Sequence, residues 1–219
     1  MGCRGYDAAA FPLLTPVVPP TRSGSRGKSV TRRTLLARRD AVTAAERATW
    51  QARIADEACR MIAGEVEAGA VVALYAAKGS EVDTAELDRR LRAAGLRVAY
   101  PRVDDAERVL AFHEAALDEL VAGRFGLREP AADAPRVAVE EIAAFVVPGL
   151  AFDVAGGRIG WGRGHYDATF AAAHPRALRI GLAFECQIID EVPREPHDES
   201  VHTVITEAAV RRTGTATAG

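Results

Sequence analysis

The sequence predicts an α/β fold, a Rossmann-like three-layer sandwich in which helices cover both faces of a largely parallel central sheet. Short apolar runs rich in β-branched residues alternate along the chain with helical segments, a pattern typical of βαβ units. Capping signals open two of these helices, and glycines cluster after one of the predicted strands. The 219 residues are 48% hydrophobic and 26% charged, which is typical of one globular domain with or without a tail.

The predicted helices are identified by their spacing and their capping residues. Thr43 and Glu46 form a capping box, because the threonine can accept from backbone amides while the glutamate reaches back. Asp83-Thr84-Ala85-Glu86 is a second capping signal, and Gly95 is expected to end the helix that it opens. The helices are predicted at residues 28 to about 39, 43 to about 62, 83–95 and 164–173.

The predicted strands are short apolar runs bounded by turns or helices. Ala70–Tyr75 is apolar and β-branched and is therefore predicted to be buried. Proline cannot donate a ladder hydrogen bond, so Pro101 is expected to end the following strand. The strands are predicted at residues 70–75, 96–100, 145–148, 179–184 and 201–206. Ligands bind outside the carboxyl ends of such strands, so we expect the functional loops after residues 75, 100, 148 and 184.

Composition and charge exclude several classes of protein. The formal net charge is −2, whereas dedicated nucleic-acid-binding domains are usually basic. No stretch approaches the roughly 18 consecutive apolar residues of a membrane-spanning helix. The three cysteines, Cys3, Cys59 and Cys186, are far apart, which gives neither a disulfide framework nor a zinc site and suits a reducing compartment. We therefore expect a cytoplasmic protein whose partners are neither nucleic acids nor membranes.

Both ends of the chain are predicted to be disordered tails. Residues 1–27 contain four prolines and a stretch rich in serine, glycine and arginine, without sustained periodicity, which favours a flexible segment. A targeting peptide is the alternative, because the segment contains arginine and serine and a single acidic residue, Asp7. Residues 211–219 are expected to form a second tail, so the folded domain is predicted at residues 28–210.

The strongest chemical signal is a glycine-rich segment between a predicted strand and a predicted helix. Its alternating glycines are Gly160, Gly162 and Gly164. Alternating glycines let backbone amides converge on an anion, and the following helix adds its positive N-terminal end. Arg158 and Arg163 add cationic donors to phosphate, and Asp167 is placed to hold a divalent cation beside it. The sequence therefore predicts a phosphate site, for which the alternative is a glycine-rich turn without a ligand.

Two other polar clusters lie on predicted loops. Glu81 stands just before the cap at Asp83 and is placed to face a ligand, with a simple helix cap as the alternative. His197-Asp198 follows two prolines, and the alternative there is a solvated turn.

The basic side chains of the first helix are expected on a solvated face. A nucleic-acid-associated role for this basic stretch is a further alternative, although the stretch lacks aromatic stacking partners. Its charged residues are Arg22, Arg26, Lys28, Arg32, Arg33, Arg38 and Arg39.

Six segments, in a specific order along the chain, support a resemblance to a known family. They are Lys28–Arg32, Glu81–Thr84, Tyr100–Arg102, Phe125–Pro130, Pro148–Asp153 with Arg158–Asp167, and a C-terminal block of Phe184, Gln187, His197, Asp198, Thr206 and Glu207. Over residues 28–207 the chain resembles the 5-formyltetrahydrofolate cyclo-ligases, also called 5,10-methenyltetrahydrofolate synthetases. The resemblance implies a monomer and the NagB/RpiA/CoA-transferase-like form of the Rossmann-like fold.

The resemblance also implies an ATP-dependent ring closure. In that family, ATP phosphorylates the formyl oxygen of 5-formyltetrahydrofolate, N10 attacks the activated formyl carbon, and phosphate leaves. The products are 5,10-methenyltetrahydrofolate, ADP and phosphate, and Mg²⁺ is required. A phosphorylated oxygen leaves far more readily than an amide-like one, and phosphoryl transfer depends mainly on positioning and charge neutralisation.

Site residues are carried over from the family by motif. ATP would be bound by Lys28, Arg32, Arg158, Gly160, Trp161, Gly162, Arg163, Gly164, His165 and Tyr166. The folate would be bound by Ala76, Glu81, Gly162, Arg163, Gly164 and His165. The glutamate carboxylate would accept hydrogen bonds from the pterin N–H edge. Mg²⁺ would be held by Asp167 and Asp198, and the candidate catalytic residues are Arg158 and Arg163.

Two residues depart from the family pattern. His165 stands where the family usually has tyrosine, and His202 where it commonly has aspartate. An imidazole covers less of a folate ring and titrates near neutrality, so we expect weaker folate binding and activity that falls as His165 is protonated. If the family aspartate supports Mg²⁺, metal binding is expected to be weaker with His202. These departures leave one alternative open, a folate- or nucleotide-binding relative without the activity.

Overall fold

The computed structural model describes the backbone of residues 25–104 and 106–213 and the side chains of residues 31–104 and 106–213. Most of the predicted N-terminal tail, residues 214–219 and the side chain of Lys28 lie outside the described residues. No helix in the described part of the chain is long and apolar enough to cross a membrane.

Three α-helices lie in the N-terminal part of the described chain, and eight strands separate the third of them from the fourth. The α-helices there are α1 (Ser25–Asp40), α2 (Ala44–Glu65), α3 (Ala85–Ala93) and α4 (His165–Ala172). The strands are β1 (Val71–Ala73), β2 (Arg97–Arg102), β3 (Ala111–Glu114), β4 (Val121–Ala122), β5 (Arg128–Glu129), β6 (Arg136–Val137), β7 (Ile142–Val147), β8 (Ala151–Phe152), β9 (Arg158–Ile159), β10 (Leu178–Leu182), β11 (Thr203–Ile205) and β12 (Val210–Arg212). Short 3-10 turns occur at Leu117–Glu119, Arg124–Gly126, Val139–Glu141 and Glu185–Gln187.

The described strands form one eight-stranded sheet and two small hairpins. The sheet has the order β12-β11-β10-β7-β1-β2-β3-β6, and the hairpins are β4–β5 and β8–β9. Strands β11, β10, β7, β1 and β2 run parallel to one another, whereas β12, β3 and β6 add antiparallel edges. The prediction of an α/β fold with a largely parallel sheet is confirmed.

Side chains of β7 alternate between the two faces of the sheet, and helices cover both faces. Val146 packs in the same cluster as Ile54 of α2. Phe145 points to the opposite face. Its ring packs edge-on against Phe112 of β3 and Phe170 of α4, with centroids 5.6 and 5.7 Å apart. The fold therefore has the three layers that the sequence predicts.

Two capping signals are found where the sequence places them. The amide of Glu46 donates to the Thr43 hydroxyl at 3.3 Å, and the amide of Thr43 donates to the Glu46 carboxylate at 3.0 Å. At the start of α3, Asp83 accepts the amide of Ala85 at 2.8 Å. The helix ends before Gly95, whose φ of +81° is the left-handed conformation that glycine adopts easily.

The expectation that Pro101 ends its strand is wrong, because β2 continues to Arg102. The pairing of β2 with β1 stops at Ala99, and beyond it β2 pairs with β3, with Pro101 opposite Phe112. A proline is tolerated where a strand has one neighbour rather than two.

The predicted domain boundaries are also too narrow. Helix α1 begins at Ser25, three residues before the predicted start at position 28. At the other end, Arg211 pairs with Val204 in the antiparallel β11–β12 ladder. Ion pairs hold this strand, since Arg211 contacts Glu185 at 2.5 Å and Arg212 contacts Glu65 at 2.8 Å. The fold therefore includes residues that were assigned to the second tail.

Candidate functional site

The candidate site lies at the carboxyl ends of the parallel strands, where the sequence predicts functional loops. Three loops meet there: the loop after β1, the loop after β7, and the glycine-rich loop between β9 and α4. Trp161 in the glycine-rich loop lies close enough to Glu81, in the first of these loops, to lower the pKa of that carboxyl. Arg39 of α1 reaches both Glu81 and the carbonyl of Gly149 after β7. Helix α1 therefore joins loops that are distant in sequence.

The glycine-rich loop needs glycine for its backbone conformation. Gly162 and Gly164 have φ values of +84° and +70°, and Gly164 caps the N-terminus of α4. L-residues with side chains rarely adopt such angles. The side chain of Arg32 lies over this loop: its Nε donates to the carbonyl of Gly160 at 3.0 Å. A Cβ at Gly162 would lie 2.7 Å from Nη2 of Arg32. The structure thus brings Arg32 and the predicted phosphate loop together.

Arg158 is the central cation of the loop. Its side chain is only 8% exposed, and its Nη2 lies 3.6 Å from Oδ1 of Asp167. The guanidinium also stands 5.1 Å from the centre of the Tyr166 ring. Burial lowers the pKa of Arg158, an effect that Asp167 partly offsets. The buried Nε has no hydrogen-bond partner among the described residues.

Asp167 and Asp198, the predicted Mg²⁺ ligands, both lie near Arg158 and raise its pKa against the effect of burial. Oδ1 of Asp167 accepts the amide of Glu199 at 3.3 Å, and Oδ2 of Asp198 accepts the amide of Glu195 at 2.7 Å. Among the described residues, no group of three or more His, Cys, Asp or Glu side chains is arranged to hold a metal. Two carboxylates beside a phosphate loop fit Mg²⁺, which usually takes its remaining ligands from water and phosphate.

Glu81 is buried in spite of its charge, with 7% of its surface exposed. Its Oε2 accepts the amide of Lys78 at 2.9 Å, and its Oε1 lies 3.8 Å from Nη1 of Arg39. Burial raises the pKa of Glu81, and the hydrogen bond from Lys78, the charge of Arg39 and the nearby side chain of Trp161 oppose this rise. Glu81 is therefore a buried carboxylate at the carboxyl end of the parallel strands. It has a cationic neighbour, and its oxygens can accept further hydrogen bonds.

The expectation that the basic residues of the first helix lie on a solvated face is wrong for Arg39, which is only 2% exposed. Its Nε donates to the hydroxyl of Ser80 at 2.9 Å, and its Nη1 donates to the carbonyl of Gly149 at 3.4 Å. One signal could have found it. Arg32, Leu35 and Arg39 are spaced at i, i+3 and i+7, so they share one helix face.

A cavity of about 510 Å³ opens beside the glycine-rich loop. Its lining residues are Val103, Asp104, Ala106, Glu107, Arg108, Phe125, Arg163 and His165. The Arg163 guanidinium carbon lies 3.6 Å from the ring centre of Phe125, and Nδ1 of His165 lies 2.9 Å from the carbonyl oxygen of Arg108. Phe125, which opens one of the six family segments, is 45% exposed and has a φ of +56°, which is unusual for a residue with a side chain.

The remaining predicted residues divide between the site and the sheet. Tyr166 is half-buried beside Arg158, and burial raises its pKa. Ala76 packs against the core below the loop after β1. His202 bonds to strand backbone: its Nδ1 accepts the amide of Arg179 at 3.2 Å, and its own amide donates to the carbonyl of that residue at 2.7 Å. Burial lowers the pKa of His202, which favours the neutral imidazole that accepts the amide of Arg179. The side chain therefore supports strand pairing in the sheet, and any effect of it on a metal ion would be indirect.

Comparison with known proteins gives one consistent result. Residues 24–207 match the model of the 5-formyltetrahydrofolate cyclo-ligase family. The 5-formyltetrahydrofolate cyclo-ligase of Mycolicibacterium smegmatis is 36% identical over 143 residues, which cover 63% of this chain and 74% of that protein. The Escherichia coli K12 protein of the same name is 32% identical over 143 residues, covering 64% of this chain and 79% of its own length.

Solved structures agree with this result. The 5,10-methenyltetrahydrofolate synthetase of Aquifex aeolicus superposes with a TM-score of 0.72 at 27% identity, covering 85% of this chain and 93% of its own. A 5,10-methenyltetrahydrofolate synthetase from Mycoplasma pneumoniae has the same fold, with a TM-score of 0.68 at 20% identity and coverage of 82% and 98%.

Proposed function

Because the chain belongs to the 5-formyltetrahydrofolate cyclo-ligase family and is an enzyme of that class, we propose that it closes the ring of 5-formyltetrahydrofolate to give 5,10-methenyltetrahydrofolate, using ATP and Mg²⁺. The carrying observation is Arg158, a buried cation that lies 3.6 Å from Asp167 beside the glycine-rich loop. A guanidinium group beside loop amides and the start of a helix favours an anion, and a phosphate fits this arrangement.

The nucleotide half of the site consists of the glycine-rich loop, Arg158 and the side chain of Arg32 over the loop. Loop amides and guanidinium groups hold the triphosphate in place and stabilise negative charge as it moves between oxygens. Asp167 and Asp198 would hold Mg²⁺, which when bound supplies further charge neutralisation. Lys28 would add a cation from α1.

The folate half of the site consists of Glu81 and the cavity beside the loop. The Glu81 carboxylate would accept hydrogen bonds from the N–H edge of the pterin, and Ala76, which packs against the core, would add an apolar contact. Phe125, Arg163 and His165 line about 510 Å³ of open space, enough for part of a folate. In the proposed complex, the formyl group would lie between the cavity and the glycine-rich loop.

The proposed reaction has two steps. The formyl oxygen attacks the γ-phosphorus of ATP, and the bond to ADP breaks. N10 then attacks the formyl carbon and loses its proton, and the C–O bond breaks so that phosphate leaves with that proton and the methenyl bridge remains. Arg158 and Arg163 stabilise the charge on the transferred group, and positioning of the two substrates supplies much of the acceleration.

We also propose a cytoplasmic monomer. Cys59 and Cys186 are free thiols in the described part of the chain, which suits a reducing compartment.

The test is the absorbance band of methenyl-folate, followed with purified protein, ATP, Mg²⁺ and 5-formyltetrahydrofolate. The wild type should produce the band only when all three additions are present, and Asp167→Ala should not produce it. Asp190→Ala is the matched control, because Asp190 is exposed and makes no described contact with the site. ATP binding without any band in the wild type would overturn the proposal in favour of a binding relative without activity.

A further inference from the structure

Arg39 is a buried cation that the reaction outlined above does not use. It comes from the last turn of α1 and is 2% exposed. Its Nε donates to Ser80 and its Nη1 to the carbonyl of Gly149, at 2.9 and 3.4 Å. Burying a charged guanidinium is costly unless partners compensate it. A smaller apolar residue at this position would therefore cost less free energy to bury, unless the charge of Arg39 serves the site.

The charge of Arg39 is directed at Glu81. Nη1 of Arg39 lies 3.8 Å from Oε1 of Glu81, which is close enough for strong attraction in a buried place but too long for a hydrogen bond. Other groups also face this carboxylate. They are the amide and the charge of Lys78, the side chain of Trp161, and the phenols of Tyr75 and Tyr166. Among these, Arg39 and Lys78 are the cations, and Lys78 directs its Nζ to the carbonyl of Phe125 instead.

The spacing leaves acceptor positions open. An ionised carboxylate offers about four lone-pair positions. The amide of Lys78 takes one position, and Trp161 lies close enough to lower the pKa of the carboxyl. Because Arg39 acts from 3.8 Å, it stabilises the negative charge without occupying an oxygen. At least about two acceptor positions remain for the paired N–H groups at the edge of a pterin.

We propose that Arg39 is a positioning residue for folate recognition: it keeps Glu81 ionised and oriented, with its oxygens open to the substrate. The contacts with Ser80 and Gly149 fix the guanidinium between the loops after β1 and β7, so it cannot swing onto the carboxylate. The inference rests on the proposed function, since it assigns Arg39 to the folate half of that site.

The test compares steady-state kinetics of Arg39→Gln, Arg39→Lys and Arg47→Gln in the full-length chain. Arg47 is the matched control, because it is a half-buried arginine that donates to the carbonyl of Val42 away from the site. For Arg39→Gln we expect the KM for 5-formyltetrahydrofolate to rise at least tenfold, with kcat and the KM for ATP changed less than threefold. The acid limb of kcat/KM for the folate should move to higher pH, because Glu81 loses its cationic neighbour.

The other variants separate positioning from structural support. Arg39→Lys keeps the charge, so it should restore the acid limb while recovering the KM only in part. Arg47→Gln should leave both substrates' KM values unchanged. Equal changes in both KM values for Arg39→Gln, or an unmoved acid limb, would show a structural role and overturn the inference. Absence of product in the wild type would instead refute the proposed function, and this inference with it.

Discussion

Nη2 of Arg158 lies 3.6 Å from Oδ1 of Asp167, so the main cation and the main carboxylate of the candidate site face each other across the start of α4. This separation is longer than a hydrogen bond, and the Asp167 carboxylate accepts one amide, so its oxygens retain capacity for a ligand. A phosphate with its metal ion would bind both.

Asp167→Asn should weaken metal dependence while keeping the fold. An asparagine oxygen can still accept the amide of Glu199, but it lacks the charge that Mg²⁺ prefers. We expect the Mg²⁺ concentration for half-maximal rate to rise at least tenfold. Titration of Mg²⁺ at saturating ATP measures this, with Asp190→Asn as the exposed control. An unchanged titration curve would remove Asp167 from the metal site.

Gly162→Ala should weaken ATP binding by more than its loss of fold stability would explain. Its φ of +84° is strained for alanine by about 1 kcal/mol, and the new Cβ would push on the Arg32 guanidinium, now 2.7 Å away. We expect the KM for ATP to rise at least fivefold.

The control is Gly69→Ala, which has a similar φ of +78° and no atom within 4 Å of the added Cβ. The two variants should lose similar thermal stability. The KM for ATP should change only in the first, and equal values in both would contradict the assignment of this loop.

Glu81→Gln should change how stability depends on pH. Burial raises the pKa of Glu81 above its ordinary value of 4.5, so between 4.5 and the folded-state pKa the folded protein binds more proton than the unfolded chain. Its contribution to stability is complete below pH 4.5 and falls as pH rises through that window. Glutamine has no such titration. As the pH rises from 4.5 to 7.5, the wild type should lose stability that Glu81→Gln keeps. The Tm of the variant minus the Tm of the wild type should therefore increase, by about 2–4 °C for each kcal/mol that the wild type loses. A constant difference would refute the raised pKa.

His165→Tyr should strengthen folate binding. A phenol ring covers more of a folate than an imidazole does. We expect the KM for 5-formyltetrahydrofolate to fall about threefold. His174→Tyr, at an exposed position after α4, is the control. An unchanged KM would show that the histidine does not limit folate binding.

The central strands could be predicted because they are buried on both sides and read as apolar runs, as Phe145 and its neighbours in β7 show. The strands at the edges of the sheet could not be predicted. Strands β6 and β12 include exposed arginines and are two and three residues long, and their existence depends on a neighbour's open edge rather than on their own sequence. The same reason explains why β2 continues through Pro101.

The site could be predicted where local sequence determines it. Gly162, Gly164 and Asp167 belong to one loop and the first turn of one helix, so their spacing alone places them together. Arg39 and Phe125 were not predicted as site residues, because their roles depend on distant partners. The burial of Arg39 comes from Ser80 and Gly149, and the aromatic contact of Phe125 comes from Arg163.

The contacts of α1 also imply an order of assembly during synthesis. The first helix leaves the ribosome early. Arg32 can bind the carbonyl of Gly160 only after 128 more residues have been translated. Arg39 can bind the carbonyl of Gly149 only after 110 more. Until those residues emerge, the apolar face around Leu35 has no surface to dock on. Both halves of the candidate site are therefore completed only after the glycine-rich loop has been translated.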